Sequence, residues 1–119
     1  MSSSILLVGL GGAGGSILRY LLQRTLNVSH FPYGTLVVNI SGCLLIGILW
    51  GLLSKSILSE AGGILLMTGF CGGFTTFSAF SYESIQLFIE NKWLLFFTYT
   101  MISVAGGIIA TYIGFKLFN

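Results

Sequence analysis

Four apolar stretches, residues 5–26, 33–53, 61–89 and 93–118, alternate with three short polar connections. A spanning helix needs about 20 mainly apolar residues, and each stretch reaches that length. The connections are residues 27–32, which hold the only proline, Pro32, then residues 54–60 and 90–92. Loops this short make successive helices antiparallel neighbours. Residues 1–119 are therefore expected to form a single all-α domain of four transmembrane helices. The third stretch carries Gly69-Phe70-Cys71-Gly72-Gly73-Phe74-Thr75-Thr76-Phe77-Ser78-Ala79-Phe80-Ser81 near its middle. Backbone groups freed at that depth find no water, so broken helix survives there only inside protein, along a cavity or around an ion. A break in helix three is expected, and it marks the candidate site.

Composition agrees with a membrane setting. Charged residues make up 7% of the chain, against about 25% in soluble domains, and the mean hydropathy is +0.97. A net charge of +2 without a basic stripe argues against nucleic acid. Met1-Ser2-Ser3-Ser4 brings no cation ahead of the apolar stretch, so a cleaved leader is not expected. Asn27-Val28-Ser29 matches a glycosylation acceptor, a motif too short to carry weight. Cys43 and Cys71 lie in apolar stretches without CxxC spacing or a histidine partner, and read as buried thiols. No nucleophile–base pair or metal cluster is visible, so an enzyme is not expected.

Glycine is frequent, at 17 residues, and part of it falls in rows: Gly11-xxx-Gly15, Gly47-xxx-Gly51 and Gly106-xxx-Ala110-xxx-Gly114. Small residues at this spacing let helices in lipid approach closely, and the rows read as packing surfaces. Gly9-Leu10-Gly11-Gly12-Ala13-Gly14 spells a dinucleotide fingerprint, but lacks the preceding strand, and the next acid is Glu60. It is not a nucleotide site. Arg19, Arg24 and Lys92 fall on one side of the membrane, and Lys55, Lys116 and the terminal amine on the other. Orientation follows lysine and arginine imbalance, and here there is almost none. Insertion both ways round, giving an antiparallel dual-topology homodimer, is the expectation. Four helices can also hardly enclose a polar path alone.

The polar residues inside the spans define that path. Asn39 lies in span two within Asn39-Ile40-Ser41-Gly42, and by itself reads equally as interhelical glue. Phe77 and Phe80 are three apart and share a helical face. A phenyl ring has a positive edge that can face an anion loosely, while the Asn39 amide and the hydroxyls of Thr76 and Ser78 can replace its water. No acid lies in the central stretch, which disfavours a cation path. The pattern points to an anion that must shed water and still leave quickly. Tyr99 and Ser103, one turn apart in span four, extend the track of hydroxyls. Arg19 reads either as snorkelling to water or as concentrating anions in a vestibule. Glu83 carries no clear role.

These motifs resemble the Fluc (CrcB) fluoride channel family. The resemblance rests on Gly11-Gly12-Ala13-Gly14-Gly15 with Arg19-Tyr20, on Gly34-Thr35-Leu36-Val37-Val38-Asn39-Ile40-Ser41-Gly42, and above all on the long third-span motif from Gly69 to Ser78. It implies an antiparallel dimer in a bacterial plasma membrane, with two fluoride pores that let fluoride leave the cytoplasm passively. It also implies a structural Na⁺ where the two helix breaks meet, bound by the backbone carbonyls of Gly72 and Thr75. By the same resemblance Asn39, Phe77 and Phe80 belong to the pore, Arg19 to the vestibule, and Glu83 matches the third-span glutamate. Ala79 and Gly107 depart from positions where the family often has a hydroxyl. Two other readings compete. A small multidrug antiporter needs an acid in span one, and none is there. A non-transporting membrane assembly subunit accounts for the glycine rows but leaves the broken third span without purpose.

Overall fold

The computed structural model describes residues 1–28 and 30–119. Ser29, the end of the glycosylation motif, lies outside the described residues. Among the described residues there are four helical spans: Ser2–Leu26, Tyr33–Ser54, Glu60–Ile89 and Trp93–Leu117. We label Ser2–Leu26 α1, Tyr33–Ser54 α2, residues 60–74 α3, Phe77–Ile89 α4 and Trp93–Leu117 α5. At about 1.5 Å per residue, α1 and α5 each outreach the bilayer core of about 30 Å. The helices start and stop within three residues of the expected spans. Ser56 and Asn91 take left-handed backbone (φ 59° and 60°) just beyond α2 and α4. There the N–H groups of Ile57 and Lys92 return to the carbonyls of Leu52 and Leu87, at 3.0 and 2.9 Å. Both turns use up the last carbonyls of the helix they follow.

The spans pack as two close pairs, α1 with α3 and α2 with α5. Glycine makes both possible. A Cβ added at Gly11 or Gly15 would run into the carbonyl oxygens of Leu65 or Phe70 on α3. One added at Gly47 or Gly114 would strike the carbonyl of Thr111 or Leu44 across the α2–α5 contact. A small buried cluster of Phe31, Phe80, Leu87 and Tyr99 ties the first loop to α4 and α5, with Leu36, Leu95 and Phe96 against it.

The third span differs in detail from expectation. Helix continues through the glycine pair, with Gly72 at φ −61°, ψ −37°, and Ile64–Cys71 is wound as π-helix. Only Thr75 (φ −85°, ψ 157°) and Thr76 (φ −149°, ψ 119°) are extended, and α4 begins at Phe77. Gly73 therefore serves contact rather than a bend, since a Cβ there would sit 2.5 Å from Gly12 O on α1. The β-branched threonines suit the extended backbone they adopt.

Candidate functional site

Interrupting a helix at residues 75–76 strands backbone donors and acceptors, and the surrounding side chains take them up one by one. Asn39 on α2 accepts the Thr76 N–H on Oδ1 at 2.7 Å and donates from Nδ2 to the Thr76 carbonyl at 3.0 Å. Thr76 Oγ1 in turn accepts the Ala79 N–H at 3.1 Å, capping α4. The Thr75 N–H reaches Cys71 O at 3.0 Å, and its hydroxyl donates to the same carbonyl at 2.8 Å. Arg19 Nε donates to Gly73 O at 3.0 Å. None of these bonds ends on the carbonyl of Gly72 or Thr75.

Beside the break lies a cavity of about 300 Å³, lined by Asn39, Thr75, Thr76, Phe77, Phe80 and Ser103 together with Cys43 and Gly107. The lining holds no charged side chain. Phe80 is buried, while Phe77 is 78% exposed on the outer face of the chain. Their ring centroids are 5.6 Å apart at 56°. Ser103 Oγ is buried without a hydrogen-bond partner among the described residues. Ser78 is not part of the lining; it is exposed, with Oγ 3.2 Å from Thr76 Oγ1. Gly107 lies where an added Cβ would be 3.3 Å from Cys43 Sγ.

Tyr99 takes a different place from Ser103. It is fully buried behind Phe80, with ring centroids 5.3 Å apart, and its hydroxyl donates to Glu83 Oε1 at 3.1 Å. Glu83 Oε2 receives the Thr35 hydroxyl at 2.9 Å and Asn27 Nδ2 at 3.0 Å. Three donors from α2, α5 and the first loop thus converge on one carboxyl group. A second cavity, of about 290 Å³, opens onto Glu83 between the first loop and the end of α4, past Asn27, His30, Gln86 and Glu90.

Arg19 is half-buried and turned inward to Gly73 O. Its Nη1 also donates to Gln23 Oε1 at 3.4 Å, and Gln23 Nε2 donates to Thr35 Oγ1 at 3.0 Å. A line of hydrogen bonds therefore runs from the helix break to Glu83. Gln23, Asn27 and Thr35 were not among the expected site residues. Gln23 follows Arg19 by four residues and so shares its helical face, which is the signal that marks it in the sequence.

The family described as "CrcB-like protein, Camphor Resistance (CrcB)" matches residues 6–115. A protein of Gloeothece citriformis named fluoride-specific ion channel FluC is 48% identical over 117 residues, covering 95% of this chain and 94% of its own. Proteins of the same name from Flavobacterium psychrophilum and Phocaeicola vulgatus are 48% and 46% identical. The Flavobacterium alignment covers 93% of both chains, and the Phocaeicola one 93% of this chain and 94% of the other.

Proposed function

The chain belongs to the CrcB family of bacterial multi-pass plasma-membrane proteins, and on that premise we propose that it is a fluoride channel. The observation that carries the proposal is the uncharged cavity beside the break, where hydroxyls and two phenyl rings stand together. A small, strongly hydrated anion crossing hydrocarbon needs donors in place of its water. It also needs binding weak enough to leave. Hydroxyls supply the first and ring edges the second. A lysine or arginine in the same place would hold the ion too long.

In this reading Asn39 supports the path instead of facing the ion, because both halves of its amide are engaged with Thr76. Ser103 keeps a free hydroxyl for the ion, and Phe77 and Phe80 offer their edges. Flux is passive, down the gradient, and carries fluoride out of the cytoplasm. The exposed faces of Phe77 and Gly72 support an antiparallel homodimer, in which a second copy covers the break and completes two pores. The carbonyls of Gly72 and Thr75, left over by the bonds that settle the rest of the break, suit a small hard cation. They would hold the structural Na⁺, which supplies positive charge that satisfies both chains' carbonyls at once.

Purified protein in liposomes loaded with fluoride or chloride tests this reading. Rapid fluoride efflux with little chloride efflux is the expected result. A non-transporting assembly subunit would release neither ion, and a proton-coupled antiporter would need a proton gradient to move its substrate.

A further inference from the structure

Thr35 Oγ1 is fully buried and has three polar neighbours. Gln23 Nε2 at 3.0 Å and Asn27 Nδ2 at 3.5 Å can only donate to it. A hydroxyl has a single hydrogen, so that of Thr35 is left to point at Glu83 Oε2, 2.9 Å away. The Gln23 amide is itself oriented. Arg19 has donors only, and with Nη1 on Gln23 Oε1 the amide oxygen must face Arg19 and the NH₂ must face Thr35. Arg19 is fixed in turn by Nε on Gly73 O. Hydrogens are therefore ordered in one direction, from the helix break through Arg19 and Gln23 to Thr35 and the carboxyl group.

We propose that Gln23 is a positioning residue of the conduction path, holding the Thr35 hydroxyl with its hydrogen toward Glu83 and toward an anion that takes the place of a Glu83 oxygen. The inference rests on the fluoride-channel reading. The cavity that opens onto Glu83 is lined by Asn27 and Glu83 itself, and the buried Thr35 hydroxyl lies behind them on the same carboxyl group. Without the Gln23 NH₂, a lone pair of Thr35 Oγ1 is freed on the Gln23 side, and only the longer Asn27 contact at 3.5 Å is left to hold the hydroxyl's direction. Nothing in the argument requires Gln23 to touch the ion.

Two variants separate this role from simple packing. Gln23→Leu removes the amide but keeps much of the bulk. Gln23→Glu keeps the shape and puts an acceptor where the donor stood, drawing the Thr35 hydrogen away from Glu83. Each should slow fluoride efflux from liposomes by about tenfold, the upper weight of one buried hydrogen bond, while eluting as the wild type does and unfolding at a temperature lowered by no more than the loss of such a bond. In a Thr35→Val background neither should slow flux further, because no hydroxyl remains to be aimed. In a Thr35→Ser background the dependence on Gln23 should return. Wild-type flux in both Gln23 variants would overturn the inference while leaving the channel reading in place, as would the same slowing with and without the Thr35 hydroxyl. Absence of fluoride efflux from the wild type would overturn the channel reading and this inference with it.

Discussion

Asn39 closes a two-bond ring on Thr76, and each bond settles a backbone group that would otherwise be bare in a dry site. Losing such a partner costs about 1–3 kcal/mol for each orphaned group. Asn39→Asp keeps the acceptor for the Thr76 N–H but sets an oxygen against the Thr76 carbonyl. It should therefore lower the unfolding temperature as well as the fluoride flux, and both are measurable on one detergent-purified sample. Phe77→Ile and Phe80→Ile should behave differently. Isoleucine keeps apolar bulk but has no positive ring edge, so flux in liposomes should fall strongly in each. Folding should be nearly untouched for the 78%-exposed Phe77 and somewhat weakened for Phe80, which also packs on Tyr99. Normal conduction in both would remove the phenyl edges from the path. The presence of an amide at 39 was legible as a polar residue in an apolar run. Its partner was not, because Thr76 lies 37 residues away and only the packing of α2 on the third span joins them. Tyr99 and Ser103 share a helical face by spacing, yet the pull of the Glu83 carboxyl turns the Tyr99 hydroxyl away from the cavity that Ser103 lines.

Between elements, backbone proximity does the work that side-chain interdigitation does in soluble cores. The α2–α5 contact turns on Gly47 and Gly114, where an added Cβ would meet carbonyl oxygens of the facing helix, and a backbone carbonyl cannot swing aside. Gly47→Ala and Gly114→Ala should each destabilise by about 3 kcal/mol, the upper end of ordinary overpacking, and lower the yield of folded protein in gel filtration. Gly9→Ala, where nothing lies within 4 Å, should leave the same measurement unchanged. The length and order of the helices were readable because apolar length alone decides what spans a bilayer. The small-residue rows also announced which helix faces pack. The π-helical winding of Ile64–Cys71 was not readable, since an almost uniformly apolar segment has no polar face to reveal its period. The exact place of the break was hidden too. The glycine pair reads as a bend in sequence, whereas Gly73 is small because α1 passes against it and the extended residues are the threonines.

At the scale of the whole molecule, the near-equal lysine and arginine counts on the two sides predict insertion in both orientations. Cysteine or reporter labelling at both termini should find each terminus on both sides of the membrane, and a single orientation would exclude the antiparallel homodimer. The contact between two such copies can be tested at Gly72. This residue is exposed on a helical turn, and an added Cβ would meet nothing within 4 Å in its own chain. Its smallness has no use inside the subunit. If a second copy and a shared Na⁺ lie against the break, Gly72→Val should abolish the dimer in cross-linking and stop fluoride flux. The subunit itself should keep its helical content. Gly9→Val, equally free of neighbours but on the opposite end of the glycine-rich stretch from the break, should dimerise and conduct normally. Thr75→Ser should also conduct, because it keeps the backbone carbonyl and the hydroxyl that donates to Cys71 O. A Gly72→Val protein that dimerises and conducts as the wild type does would place the dimer contact elsewhere, and the proposed cation site would fall with it.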